Sequence, residues 1–414
     1  MSIIKDISLR HQGQRKIDWV YDSMGVLNEL EHSLECAQPF QGKTIAMSIH
    51  MEAKTARLAL LLKALGATVY ATGCNTLSTQ DDVAAALASN GVEVFAIHGA
   101  SPEEYKEHLK KVLEPHPALF IDDGGDLFET YCGLRSNEKW PLLGGCEETT
   151  TGITRLKQYQ KHGPLPFPMI NVNDANCKHL YDNVYGTGQS TIDAIMHTTN
   201  NVIASKTVVV AGYGFCGKGI AKRMRGMGAR VIVTEINPIK AIEAKLEGFE
   251  VMTMLEAAPI GDFFITATGC KDVITNDHFL LMKHNAILAN SGHFDVEINL
   301  KHLSQLSSDI YPRRDNITGY KIASSGRTIN ILAEGKLVNL AAGNGHPAEI
   351  MDTSFALQAL SLLYLVNNSH KLEKKLYDVP ESIDQRVARL KLQTMNINID
   401  TLTDAQRNYL GLDI

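Results

Sequence analysis

The sequence predicts an α/β protein of two Rossmann-like lobes with an interdomain cleft. Three observations carry this expectation. Apolar, strand-like runs followed by helix-like segments recur before about residue 160. A breaker-rich stretch then intervenes, with His162-Gly-Pro-Leu-Pro-Phe-Pro168 and the polar, Gly-containing span from Asn171 to Gly188. Behind it, Thr207-Val-Val-Val-Ala-Gly212-Tyr-Gly214-Phe-Cys-Gly217 is a β-branched run opening into G-x-G-x-x-G, and the next apolar run closes on Val233-Thr234-Glu235.

In chain order, 43–49 reads as a buried strand with a helix over 55–65 behind it, 67–71 as the next strand with a helix over 81–88, and 118–122 as the end of another strand. Polar residues follow these strands at the carboxyl edge, where open sheets bind ligands: His50, Asn75, Thr79, Gln80, Asp122 and Asp123. The polar span sets a boundary, giving a first domain over 1–185. A second α/β domain over 186–345 has a helix from about Ser190 and strands near 207–211, 230–234, 262–266 and 286–289. Gly343-Asn-Gly345-His346-Pro347 marks the return, and an apolar helix over 354–365 completes the first domain within 346–414.

The glycine block is a dinucleotide fingerprint in its proper context. Gly212 permits the tight turn, Gly214 lets a pyrophosphate approach, and Gly217 lets helix pack on strand. Glu235 accepts both ribose hydroxyls and repels a 2′-phosphate, so NAD is expected rather than NADP. A formal charge of −6 over 414 residues, with no basic run, gives no reason to expect nucleic acid or an anionic membrane as partner. The seven cysteines form no C-x-x-C pair, so neither a metal site nor a disulfide framework is expected. The N-terminal segment lacks a signal-length apolar core and no segment approaches a membrane span, so a cytoplasmic protein is expected.

The chain resembles S-adenosylhomocysteine hydrolases over nearly its full length. The resemblance rests on Ser48-Ile-His50-Met51, Cys74-Asn-Thr-Leu-Ser-Thr-Gln80-Asp81, Asp122-Asp-Gly-Gly-Asp126, Glu147-Glu-Thr-Thr-Thr-Gly152, Asn171-Val-Asn-Asp174 with Lys178 and Asp182-Asn183, Gly212-Tyr-Gly214, Ser291-Gly-His293-Phe294-Asp295 and Gly343-Asn-Gly-His346-Pro347. It implies a thioether hydrolase with tightly held NAD, acting on a nucleoside-homocysteine thioether, and a homotetramer. In the implied chemistry, oxidation of the 3′-hydroxyl to a ketone acidifies the C4′ proton and permits elimination of homocysteine. Water then adds at C5′, and the stored hydride is returned.

On matching positions, Lys178 is the implied base at the 3′-hydroxyl, a pocket lysine tuned toward a neutral pKa. Asp182 grips a ribose hydroxyl, with Asn183 beside it, and Asp123 takes the C4′ proton. His50 serves the leaving sulfur or incoming water, and His293 sits near the ribose and nicotinamide. Glu148 and His346 are implied substrate contacts, and Thr149, Thr150, Thr151, Ser291, Gly292 and Asn339 cofactor contacts. The bland alternatives are an Asp-Gly turn for Asp123 and a solvated surface lysine for Lys178.

The base-reading segment departs from the usual family pattern, having Glu52 and Lys54, followed by Thr55, in place of a threonine with a glutamate or glutamine. Hypoxanthine offers N1–H as donor and O6 as acceptor, the reverse of adenine; Glu52 accepts from the first and Lys54 donates to the second. Lysine in a first helical turn opposes the macrodipole, a further sign of function. S-inosylhomocysteine, giving inosine and homocysteine, is therefore the expected substrate, and S-adenosylhomocysteine, giving adenosine, the runner-up. The chain also stops at Asn408-Tyr-Leu-Gly-Leu-Asp-Ile414, without the lysine- and tyrosine-bearing tail of many relatives, and Lys240 stands where an asparagine is common. Competing readings are an NADH-releasing dehydrogenase and a silent NAD-binding regulator.

Overall fold

A computed structural model describes residues 2–412. Met1, and the Asp413 and Ile414 of the terminal segment noted above, lie outside the described residues. The strands in chain order are β1 (Thr44–Ser48), β2 (Thr68–Thr72), β3 (Glu93–Phe95), β4 (Leu119–Asp122), β5 (Gly144–Glu147), β6 (Met169–Asn171), β7 (Thr207–Ala211), β8 (Arg230–Thr234), β9 (Glu250–Val251), β10 (Phe263–Thr266), β11 (Ala286–Asn290), β12 (Ser307–Arg314), β13 (Ile317–Ile322), β14 (Thr328–Leu332) and β15 (Leu376–Asp378).

One sheet runs β15-β6-β5-β4-β1-β2-β3, with every pair parallel. The other runs β12-β13-β14-β11-β10-β7-β8-β9, parallel except for β13 against its two neighbours. Parallel sheets are covered on both faces, and their strands are accordingly apolar throughout. Along β7, Val208 and Val210 enter one core while Val209 enters the core on the opposite face. Along β4, Leu119 and Ile121 face one core and Phe120 the other.

Both sheets reverse strand order beside their first strand, between β1 and β4 and between β7 and β10. Such switch points open a crevice at the carboxyl ends of the strands. His50 follows β1 and Asp123 follows β4, so the first crevice collects both. Gly212 follows β7 at the second. There, a Cβ on Gly217 would lie 1.9 Å from the Gly212 carbonyl oxygen, so the phosphate turn closes onto its helix only because residue 217 has no side chain.

Three local expectations are corrected. The helix behind β1 runs Ala53–Ala64, starting two residues earlier than expected, because Glu52 caps it by accepting from the N–H groups of Lys54 and Thr55. Where a loop was expected before Ser190, the wide-turned helix His179–Gly186 leads directly into helix Thr187–Thr199; its glycines read as breakers, and such widened turns recur at functional sites. Finally, Ala348–Lys371 is long and apolar enough to cross a membrane by length and composition, contrary to the expectation that no segment approaches a span. It is a core helix here, and its Asp352, Ser354, Gln358 and Ser361 are fully buried and polar.

Candidate active site between the two sheets

A cavity of about 1200 Å³ is lined by the carboxyl-end loops of both sheets. Single small-molecule pockets usually measure about 300–1,000 Å³, so this one has room for more than one ligand. Every residue given a catalytic, substrate or cofactor role above lines it except Gly217, which packs behind the glycine turn, whereas the carboxyl-edge residues Asn75, Thr79, Gln80 and Asp122 do not line it.

Lys178 lies at its centre, at the start of the wide-turned helix. Its Nζ donates to Asn183 Oδ1 at 2.8 Å and sits 3.2 Å from Asp182 and 3.5 Å from Glu148. Asp182 accepts from Ser354 Oγ at 2.7 Å and pairs with His346 Nδ1, while Glu148 accepts from Gln358 Nε2 at 2.6 Å. Burial disfavours the lysine's charge, but Asp182, Glu148 and Asp123 outweigh it and raise the pKa. This corrects the expectation of a lysine tuned toward neutrality, because the carboxylates that hold it also hold its proton. Burial pushes Glu148 up to about 8 despite Lys178, and its Oε1 has no hydrogen-bond partner.

His50 Nδ1 is 2.7 Å from Ser78 Oγ, whose hydroxyl donates to the Asn75 carbonyl. The serine oxygen therefore accepts from Nδ1–H, which leaves Nε2 as an acceptor facing Asp123 Oδ2 at 3.5 Å. Burial lowers the His50 pKa to about 4, so the ring is neutral at pH 7. Cys74 Sγ donates to the same Asp123 oxygen at 3.4 Å, and His293 arrives from the other sheet with Nδ1 3.9 Å from Oδ1. A Cβ on Gly124 would meet His293 Nε2 at 2.4 Å, and this glycine holds φ +109°, so residue 124 must be glycine for the two sides to meet. The neighbouring Asp122 instead turns inward to the N–H groups of Asp123, Leu127 and Phe128.

At another wall Glu52 and Lys54 form a buried ion pair at 2.8 Å, and Lys54 Nζ also donates to the Asn344 carbonyl at 2.8 Å. The cap supplied by Glu52 offsets the cost of a lysine in the first turn, so the position of Lys54 is not by itself a sign of function.

The family description S-adenosyl-L-homocysteine hydrolase matches residues 2–140, and S-adenosyl-L-homocysteine hydrolase, NAD binding domain, matches 183–345. S-inosyl-L-homocysteine hydrolase of Methanocaldococcus jannaschii is 53% identical over 98% of this chain and 98% of its own length. The chain belongs to the S-adenosyl-L-homocysteine hydrolase family. S-inosyl-L-homocysteine hydrolase of Methanococcus maripaludis is 52% identical over 99% of both chains, and adenosylhomocysteinase of Thermococcus kodakarensis 54% identical over 98% of this chain and 96% of its own. The protein is thus a hydrolase of the NAD-dependent family that acts on nucleoside-homocysteine thioethers.

The second-sheet half fits a dinucleotide. Gly212 holds φ +96° at the turn. Glu235 is fixed at the end of β8 by the N–H groups of Tyr213, Ile236 and Asn237, at 2.7, 2.8 and 2.9 Å. Asn339, 1% exposed, donates to Ser190 while its Oδ1 finds no partner, leaving an acceptor for an amide. Ser291 is held by Thr191 at 2.8 Å.

Sequence reasoning missed Ser78, Ser354 and Gln358, which orient His50, Asp182 and Glu148. Polar residues spaced four apart in the apolar 348–368 helix were the available signal for the last two. It also missed Asn290, whose side chain bonds Gly292 and Phe294 and so shapes the loop carrying His293.

Proposed function

We propose that this enzyme hydrolyses S-inosyl-L-homocysteine to inosine and L-homocysteine, reversibly. The observation that carries the base assignment is the buried, side-by-side carboxylate and ammonium of Glu52 and Lys54 on the cavity wall. A lactam edge, N1–H beside O6, meets them as donor to acceptor and acceptor to donor. Overall identity does not decide the base, since inosyl and adenosyl relatives are equally similar; on that ground S-adenosyl-L-homocysteine is the second reading. The deciding experiment compares kcat/KM for the two thioethers by thiol release on one NAD-loaded preparation. An inosyl preference of about a hundredfold is expected, since each mismatched buried polar pair costs about 1–3 kcal/mol. Equal or better turnover of the adenosyl compound overturns the assignment.

In this reading bound NAD supplies the reversible oxidation at the 3′ carbon. Ribose hydroxyls donate to Asp182 and to Glu148 Oε1, which lies 3.5 Å from Lys178 and accepts no hydrogen bond among the described residues. That weakens the carboxylate field on Lys178 while the substrate buries the amine further; both favour a neutral lysine able to take the 3′ proton. Asp123 receives the C4′ proton. Nε2 of His50, 3.5 Å away, relays it to the departing sulfur and later accepts from the water that adds at C5′. The cofactor half is assigned to Thr149, Thr150, Thr151, Gly212, Gly214, Glu235, Ser291, Gly292 and Asn339.

The same reading divides the chain into a substrate domain, 1–185 with 346–414, and an NAD domain, 186–345. It includes a cytoplasmic homotetramer. Exposed apolar side chains such as Ile239, Leu246 and Tyr409 support burial against further copies, and sedimentation of the holoenzyme tests the tetramer.

A further inference from the structure

The cofactor half holds a lysine that the chemistry above leaves unused. Lys240 lies in the first turn of helix Pro238–Leu246, capped by Asn237. A cation there opposes the helix dipole, so helix stability does not account for it. Its side chain lines the cavity beside Glu235, and its Nζ is 3.9 Å from where a Cβ on Gly214 would stand. The nearby amines are committed, Lys218 to Glu243 at 2.5 Å and Lys222 to Glu247 at 2.9 Å. The Lys240 amine makes no hydrogen bond or ion pair among the described residues.

We infer that Lys240 is the counter-charge to the cofactor's pyrophosphate. The phosphate turn offers backbone N–H groups and the partial positive end of helix Phe215–Gly226. That partial charge faces two phosphate charges with Glu235 close by, so the turn alone leaves an excess of negative charge. Lys240 reaches the open side of the turn over Gly214, where the absence of a side chain leaves its path clear. Glu235 is already held by three backbone N–H groups, which reserves it for the ribose rather than for an ion pair with this lysine. The inference concerns the NAD end of the cavity and is independent of which base the substrate end reads.

The test uses the holoenzyme and its Lys240→Ala and Lys240→Arg variants. Two quantities are measured: exchange of bound NAD into an isotopically labelled pool, and equilibrium binding of ADP-ribose across ionic strength after the cofactor is stripped. Removing the amine is expected to speed NAD loss and weaken ADP-ribose about tenfold, the scale of one charge-assisted contact, and to flatten the salt dependence. Lys240→Arg is expected to recover most of both. Unchanged exchange and ADP-ribose affinity in Lys240→Ala overturn the inference. So does a weakening of ADP-ribose that is equal at every ionic strength, which would make the side chain a packing contact and not a counter-charge.

Discussion

Glu52 and Lys54, two residues apart, lie 2.8 Å from each other in the wall of the cavity, each less than a tenth exposed. One carboxylate serves two ends, capping the helix and pairing with Lys54 on the cavity wall. Single substitutions therefore strand a charge, whereas a paired exchange does not. Glu52→Thr alone is expected to destabilise the fold by about 3 kcal/mol, because it leaves Lys54 buried without its partner. Glu52→Thr with Lys54→Gln should recover much of that and move preference toward the adenosyl thioether. Thermal unfolding of the three variants, with kcat/KM for both substrates, checks this. Additive stabilities would show that the pair does not act as a unit.

In the proposed mechanism Lys178 and Asp123 belong to successive steps, which isotope exchange separates. Asp123→Asn retains the lysine cluster, so it should still oxidise the 3′ position, yet lose exchange of the C4′ proton with deuterated water along with thiol release. Lys178→Ala should lose both, with kcat down by about 10³-fold, as expected when a general base is removed. Persistent C4′ exchange in Asp123→Asn would assign that proton to another group.

The central strands β1, β2, β4, β7, β8, β10 and β11 were legible because parallel strands buried on both faces leave uninterrupted apolar runs, as at Val208 to Val210, whereas the short or edge strands and the β12–β14 antiparallel extension were not placed. The glycine fingerprint was legible for the same local reason: a single close approach, Gly217 onto Gly212, constrains the residue type. The residues that hold the catalytic groups were not. Ser354 and Gln358 come from a helix about 170 and 210 positions beyond Asp182 and Glu148, and no local pattern states which carboxylate a buried amide will meet. The protonation of Lys178 was unreadable likewise, since it depends on three carboxylates that folding brings together from separate loops.

His50 should give the fold an acid sensitivity. Its pKa is about 4 in the native state and 6.5 when unfolded, so between those values the unfolded chain binds the extra proton. Stability then rises with pH across that window. The His50 contribution is intact above about pH 6.5 and is lost as pH falls toward 4, by about 3 kcal/mol in all. Denaturant unfolding of wild type and His50→Gln from pH 4 to 7 should show a shallower slope in the variant. Parallel slopes would mean that His50 is not buried as a neutral ring.

Gly217 offers a test of how far the two halves depend on each other. A methyl at this position would stand 1.9 Å from the Gly212 carbonyl oxygen, a backbone atom that cannot swing aside as a side chain can. The turn must open, or the helix Phe215–Gly226 must lift from β7. Overpacking of this kind costs about 1–3 kcal/mol, and it falls on the glycine turn assigned above to the pyrophosphate. Gly217→Ala should therefore purify with little bound NAD and show a lowered unfolding midpoint. The core packed around β1 and β4 lies on the other sheet and is not touched by that methyl. Hydrogen exchange should accordingly rise in 207–234 while β1 and β4 keep their protection. If protection falls equally in both sheets, the halves fold as one cooperative unit, and the cofactor turn supports the substrate site as well as its own.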